Sequence, residues 1–162
     1  MKALSKDDRL FYYEKNYYTL DGLWILETEK ATDFDTALKI DLAVWKELLK
    51  IIYRRIKDYL KIEGKTVAEV MDLLAFRWAC EKWDFTIDVA SPDKGKATIK
   101  KCPYKEIMDR NPARKDIIPR ICTDICIPIY KEAIASINPA IRVKRSNFMG
   151  KGSPICDFEL SM

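Results

Sequence analysis

The spacing of apolar residues changes along this chain, and that change constrains the fold more than any other feature. In the first half, apolar side chains recur every three or four residues, which is typical of helices with one buried face. In the second half, Trp83, Phe85, Ile87 and Val89 alternate with polar residues, which predicts a strand with one solvated face. Helices followed by an antiparallel sheet are the pattern of an α+β fold.

Three helices are predicted in the first half, over about residues 5–31, 33–62 and 67–81. Each predicted helix start carries a capping pair. In such a pair, a hydroxyl and an acid three residues later accept hydrogen bonds from free backbone amides. We expect a break in the first helix near 19–22, and Gly64 to end the second. The capping pairs are Ser5 with Asp8, Thr32 with Asp35, and Thr66 with Glu69.

The second half is predicted to hold about four strands and one kinked helix. The turn at 91–95 joins the strand at 83–89 to one at 96–101, and a short helix at 103–111 and a loop at 112–115 follow. A helix over about 118–137 contains Pro128, which lacks an N–H and predicts a kink. Strands at 141–143 and 155–160 close the chain. We therefore predict a three-helix N-terminal layer packed on a C-terminal antiparallel sheet, as a single domain over 1–162.

The amino-acid composition limits which catalytic groups and which ligands are expected. The chain has five cysteines and no histidine, so the usual base at neutral pH is missing. An odd number of cysteines behind a charged N-terminus without an apolar core predicts a cytoplasmic protein with free thiols. The first 82 residues are electrically balanced, and the whole net charge of +4 falls in residues 83–162. This suits a small anionic ligand, and it predicts neither a nucleic-acid partner nor a membrane partner.

Four of the five cysteines lie between residues 102 and 156. Cys102 falls where a strand meets a helix start, a place that lowers a thiol pKa. Cys122 and Cys126 share a helix face, and Cys156 points inward from the last strand. Packing of that helix on that strand would bring these sulfurs together. Cys80 is predicted to be an ordinary buried hydrophobe.

Two chemical interpretations of the thiols stay open. One is a nucleophile working with a carboxylate, since no histidine is available. The other is a zinc or iron–sulfur site that uses Cys122 and Cys126, although the chain lacks the usual C-x2-C spacing. The first interpretation requires no cofactor.

A second polar set lies in the helical half. Asp41 and Trp45 are four residues apart and share a helix face. An acid beside a tryptophan in an apolar stripe indicates either a rim carboxylate or an acid lining a ligand pocket with aromatic walls. The candidate ligand-binding residues are Asp21, Trp24, Glu29, Asp41 and Trp45.

Several short motifs resemble the L-2-amino-thiazoline-4-carboxylic acid hydrolase family and a related group of small cytosolic proteins. They are Lys101-Cys102-Pro103-Tyr104, Ile121-Cys122, Ile137-Asn138-Pro139 and the stretch from Gly152 through Cys156 to Phe158, with Asp21-Gly22-Leu23-Trp24, Glu29, Ile40-Asp41 and Val44-Trp45 in the helical half. The resemblance implies a fold similar to vinyl-reductase-type hydrocarbon-binding domains. It also implies ring-opening hydrolysis of a sulfur-containing cyclic amidine acid. Cys102, Cys122 and Cys156 match the family's cysteines, and Cys126 is additional.

These observations lead to three hypotheses. The first is a small-molecule-binding protein that hydrolyses C–N bonds in a small anionic amidine or amide, with Cys102, Cys122 and Cys156 as catalytic residues. The second is a non-catalytic ligand-binding or sensor module for a hydrophobic or sulfur-containing ligand. The third is an accessory protein with a cysteine-ligated metal. A homo-oligomer is compatible with each of them.

Overall fold

A computed structural model describes residues 3–162 and has the α+β architecture predicted from the sequence. Backbone contacts divide the chain into two compact units, Met1–Asp41 and Leu42–Met162. The single domain expected over 1–162 stays a prediction.

Two long helices open the chain. α1 spans Lys6–Ala31 without interruption, so the break expected at 19–22 is wrong. Ser5 caps α1 as predicted, because its hydroxyl accepts from the Asp8 N–H while Asp8 accepts from the Ser5 N–H. α2 spans Phe34–Leu60, and Asp33 rather than Thr32 caps it, by accepting from the Thr36 N–H at 2.8 Å. No helix in residues 3–162 is long and apolar enough to cross a membrane.

Lys61, not Gly64, ends α2. Lys61 takes a left-handed conformation at φ 58°, and the Ile62 N–H donates back to the Lys57 carbonyl at 3.3 Å, which closes the last turn. Gly64 is also left-handed, at φ 72°, but a Cβ there would collide with the Ile137 side chain. Gly64 therefore serves close packing against the Ile137 side chain as well as backbone conformation.

α3 covers Val67–Cys80, where the sequence predicts a helix. The Thr66 hydroxyl accepts from the Glu69 N–H at 3.2 Å. The Glu69 carboxylate does not complete the expected pair and accepts from the Lys65 N–H instead. α3 lies on the first two strands and contributes the buried side chains Val67, Val70, Met71, Leu73, Leu74, Arg77 and Trp78.

The sheet has four antiparallel strands in the order β1-β2-β4-β3. The strands are β1 at Asp84–Ser91, β2 at Lys94–Lys101, β3 at Arg142–Lys144 and β4 at Cys156–Ser161. Ile99 of β2 lies between Phe85 and Cys156. Gly95 is not a free turn residue as predicted, because it pairs within β2 and its missing side chain makes room for Met71.

The segment between β2 and β3 is helical and kinked. α4 covers Pro103–Asp109, and a 3-10 helix at Pro112–Ile117 replaces the predicted loop. Next come one turn of α-helix (α5, Ile118–Arg120), a π-helical turn at Ile121–Cys126, and α6 at Ile127–Ile137. Pro128 lies in the first turn of α6, where its missing N–H costs little. The wider π turn before it accommodates the ring, so the predicted irregularity at Pro128 is confirmed.

The core of the second unit centres on aromatic contacts between three elements. The rings of Trp78 from α3, Tyr130 from α6 and Phe158 from β4 lie 4.8–6.1 Å apart. Trp78 and Phe158 are 0% exposed. These contacts hold the kinked helix against the sheet, which places the π turn beside the start of β4.

Candidate functional site

Four thiols from three different parts of the second unit come together. Cys102 follows β2 and caps α4, Cys122 and Cys126 lie in the π turn, and Cys156 opens β4. The charges of Cys126 and Cys156 both raise the pKa of Cys102 and of Cys122, which shows that the sulfurs are electrostatic neighbours. We call Cys102, Cys122, Cys126 and Cys156 the thiol cluster.

Arg145 lies at the thiol cluster, directly after β3. Its Nη1 donates to the Cys126 Sγ at 3.0 Å, and its Nε donates to the Asp157 carbonyl at 2.9 Å. The guanidinium stacks 3.9 Å from the Phe158 ring centre and 4.7 Å from that of Phe148. Burial alone would lower the pKa of Arg145, but Cys126, Cys156 and Tyr130 together outweigh burial and raise it. A fixed cation therefore faces sulfur, and sequence reasoning did not identify it.

Three of the thiols have raised pKa values. Burial is the main cause, and it raises the pKa of Cys102 to about 12 and that of Cys122 to about 11. Burial also raises the pKa of Cys156. The lowered pKa expected for Cys102 is wrong, because desolvation outweighs the amide hydrogen bonds of the short α4. These three thiols are neutral at physiological pH.

Asp157 holds the segment that carries Arg145. The sequence pattern places Asp157 on a solvated face, but it is 2% exposed. Its carboxylate accepts from the Ser146 N–H, the Asn147 N–H and the Asn147 Nδ2, each at 2.8 Å. Burial acts to raise the pKa of Asp157, but these hydrogen bonds outweigh it and lower the pKa. The buried carboxylate therefore fixes the backbone next to Arg145.

The backbone at Met149 and Gly150 also lies against sulfurs of the thiol cluster. The Met149 N–H donates to the Cys156 Sγ at 3.2 Å. A Cβ at Gly150 would collide with the Cys122 Sγ and would lie 3.0 Å from an Ile118 methyl. Only glycine lets the backbone approach Cys122 this closely, and the sequence offered no sign of this role.

A buried polar network adjoins the thiol cluster. Arg77 is 4% exposed; its Nε donates to Glu81 at 2.7 Å and its Nη1 donates to the Tyr130 hydroxyl at 3.1 Å. The Trp78 indole N–H also donates to the Tyr130 hydroxyl, at 2.8 Å. Burial raises the pKa of Tyr130 well above its ordinary value, and Cys126 adds to the shift. Tyr130 therefore links this network to the cluster.

Of the predicted ligand-binding residues, Trp45 belongs to this network. It is buried, and its ring lies 5.5 Å from the Arg77 guanidinium and 5.5 Å from the Tyr104 ring. The cation–π contact contributes to holding Arg77 in the interior. Its predicted contact with a ligand stays a prediction.

The other four members of the predicted set lie in the first unit. Asp41 is 8% exposed, and burial together with the nearby charge of Asp21 raises its pKa to about 7. Glu29 is half-buried. Trp24 is 54% exposed. The structure therefore brings Asp21 and Asp41 together, and it leaves much of the Trp24 ring in solvent.

We expect the Asp41→Asn variant to gain stability at alkaline pH. Because the folded-state pKa of Asp41 is raised, the stability that its neutral form contributes is full below the ordinary value of 3.8 and is lost as pH rises through about 7. An amide avoids ionisation, so Asp41→Asn should be more stable by about 2 kcal/mol at pH 8 and nearly unchanged at pH 4. Urea unfolding at both pH values measures this difference.

The exposed acid Asp58 on the same helix is the matched control. Asp58→Asn should shift stability by less than about 0.5 kcal/mol at either pH. A gain for Asp41→Asn that is equal at pH 4 and pH 8 would contradict the burial argument.

The remaining cysteine predictions have mixed outcomes. Cys80 is exposed at the end of α3, so the prediction that it is buried is wrong, because the last helical turn extends beyond the packed core.

Within residues 3–162, no three Cys, Asp or Glu side chains converge in a way that could hold a metal ion. The metal alternative at Cys122 and Cys126 therefore finds no support in the geometry.

The model of a family described as L-2-amino-thiazoline-4-carboxylic acid hydrolase matches residues 22–160, which include the thiol cluster, Arg145 and the Arg77 network. No curated protein matches the chain. The resemblance noted in the sequence is thereby confirmed over most of its length.

Proposed function

The chain belongs to the L-2-amino-thiazoline-4-carboxylic acid hydrolase family, and from that premise we propose that it hydrolyses a C–N bond in a small anionic cyclic amidine. The observation that carries this proposal is the position of Arg145, whose guanidinium contacts the Cys126 sulfur at 3.0 Å within a cluster of four thiols. A cation and a sulfur nucleophile side by side suit an anionic, electrophilic substrate.

Arg145 supplies the anchor for the substrate's carboxylate. Among the described residues it uses two of its five N–H groups, one on Asp157 and one on Cys126. The remaining donors match a carboxylate, which accepts a pair of hydrogen bonds from a guanidinium. The faces of Phe148 and Phe158 hold the guanidinium in place for this contact.

We assign the nucleophile to Cys126. Its sulfur attacks the amidine carbon and forms a C–S bond, while the C=N electron pair moves to the nitrogen, which takes the thiol proton. The amidine nitrogen is itself the base, so this step requires no histidine. The C–N bond then breaks as this nitrogen leaves as an amine, taking a proton from the second amidine nitrogen, which re-forms a C=N bond. Water attacks the same carbon to release the product and restore the thiol.

The three thiols predicted to be catalytic have a supporting role in this scheme. Cys102, Cys122 and Cys156 are neutral, because burial raises their pKa values. Neutral thiols around the reacting carbon add no competing negative charge, so the Arg145 guanidinium stays available to the substrate.

The same raised pKa values favour a second candidate function. Neutral, partly buried thiols beside a cation also suit a binding module that holds a small anionic or sulfur-containing ligand without turnover. In that case the ligand would raise the melting temperature and no product would form.

The decisive experiment incubates the protein with L-2-amino-thiazoline-4-carboxylic acid. C–N cleavage releases ammonia or exposes an amine, whereas C–S cleavage exposes a thiol, and amine-reactive and thiol-reactive reagents distinguish these products. We expect an amine or ammonia without a new substrate thiol. Cys126→Ser should reduce the rate by at least about 100-fold, because the hydroxyl lacks the nucleophilicity of sulfur.

Cys80→Ser is the matched control, because Cys80 is exposed and lies outside the thiol cluster. It should keep the wild-type rate. Product formation unchanged in Cys126→Ser would contradict the assignment of the nucleophile, and thermal stabilisation without product would favour the binding module.

A further inference from the structure

The outer face of α1 carries an exposed apolar stripe that no described residue of its own unit covers. Five large side chains project within about a third of the helix circumference, as their helical spacing requires. Each of them is 50–68% exposed, and α1 contains no buried residue. The stripe consists of Tyr12, Tyr13, Leu20, Leu23 and Trp24.

The stripe lies on the side of α1 opposite to its half-buried residues. The opposite face carries Glu14, Tyr18, Asp21 and Ile25, which are half-buried. Asp21 also acts on the pKa of Asp41, so this face is directed toward Asp41 within the same unit. The stripe is consequently a second apolar face on one helix, and intrachain packing does not explain it.

The area of the stripe is close to what a stable interface requires. The exposed parts of the five side chains amount to roughly 600 Å², given that large aromatic side chains each bury about 150–250 Å². A monomer rarely exposes a contiguous apolar patch of this size, and a stable interface buries about 800 Å² per partner. Asn16, which lies within the stripe, and Arg9 and Glu27 at its two ends can supply the difference.

We propose that this stripe binds the same stripe of a second copy of the chain, with the two α1 helices antiparallel. Positions equidistant from Tyr18 then face each other across a two-fold axis. Tyr12 meets Trp24 and Tyr13 meets Leu23. Each of these contacts occurs twice, as the symmetry of a dimer requires.

Charge complementarity fixes the orientation. Arg9 and Glu27 lie on the stripe side at opposite ends of α1, each nine residues from Tyr18. Antiparallel pairing therefore sets Arg9 of one copy against Glu27 of the other at both ends, whereas parallel pairing would set like charges together. Glu27 pairs with the exposed Lys30 at 2.6 Å, a surface pair of little energetic weight.

The charge of α1 argues against a membrane surface as the partner. α1 carries six acidic and four basic residues, which gives a net charge of −2. Helices that lie on anionic membranes carry a basic polar face instead.

Sedimentation equilibrium of the full chain tests the proposal. We expect a mass twice 18.9 kDa, and a dissociation constant at least tenfold weaker for Leu20→Lys, whose charge would lie in the interface. Phe11→Lys is the matched control, because Phe11 is 64% exposed and Leu20 is 66% exposed, but Phe11 lies outside the stripe. It should dimerise like the wild type.

Charge reversal tests the antiparallel orientation. Arg9→Glu and Glu27→Arg should each weaken the dimer, and the double variant should restore it, because both ion pairs are reversed together. The proposal is overturned by a wild-type chain that stays monomeric at 100 μM, by equal weakening from Phe11→Lys, or by a monomer that co-sediments with phosphatidylserine vesicles. Failure of the hydrolase assay would leave these outcomes unaffected.

Discussion

Arg77→Leu should destabilise the second unit by about 3–5 kcal/mol, the largest stability effect that we expect from a single substitution in this chain. Arg77 is 4% exposed and pairs with Glu81, whose side chain is 11% exposed. Leucine would leave the Glu81 carboxylate almost buried without its cation. It would also remove the Nη1 donor to the Tyr130 hydroxyl. Urea unfolding followed by tryptophan fluorescence measures the loss, since Trp78 lies beside Tyr130.

Two comparisons separate charge burial from loss of packing. Arg55→Leu changes an exposed arginine on α2 and should shift stability by less than about 0.5 kcal/mol. The double variant Arg77→Leu/Glu81→Leu removes both charges, and it should recover part of the loss because no buried charge stays unpaired. A single variant within about 1 kcal/mol of the wild type would show that the network contributes little.

The elements of the fold followed from local rules, whereas their ends depended on packing. The period of the apolar residues predicted the three N-terminal helices and the alternating strands, because each element must bury one face. A break in α1 was expected near 19–22, but a glycine costs only about 1 kcal/mol within a helix of 26 residues. Gly64 was expected to end α2, but its position is set by the Ile137 side chain. A long-range contact of this kind cannot be predicted from local sequence.

The sequence predicted which thiols lie at the site, but it predicted neither the cation beside them nor the direction in which the pKa of Cys102 is shifted. The helix and strand order placed Cys122, Cys126 and Cys156 close together, since a helix following β2 must pack on the sheet that β4 completes. Arg145 was missed because it follows a strand of three residues and belongs to no motif. The only available signal was the excess positive charge of the second half. The pKa direction of Cys102 was predicted wrongly because burial depends on the whole fold.

Arg145→Ala should reduce the proposed hydrolysis by about 1000-fold in kcat/KM, the largest effect that we expect on activity. The substitution removes the anchor for the substrate's carboxylate and the hydrogen bond to Cys126 together. Losing one charged hydrogen bond costs about 1.5–3 kcal/mol, and here two contacts are lost. Arg145→Lys keeps the charge but cannot donate a paired hydrogen bond to a carboxylate, so we expect an intermediate loss that falls mainly on KM.

Arg142→Ala is the matched control for the activity of Arg145→Ala. Arg142 is an exposed arginine on β3, three residues away, and its removal should leave kcat/KM within about twofold of the wild type. Because Arg145 also donates to the Asp157 carbonyl at 2.9 Å, the melting temperature of each variant must be measured as well. An Arg145→Ala protein that is folded and turns over substrate normally would show that catalysis does not occur at the thiol cluster. A folded variant with normal kcat and a raised KM would restrict Arg145 to binding the substrate and would leave Cys126 as the nucleophile without its assistance.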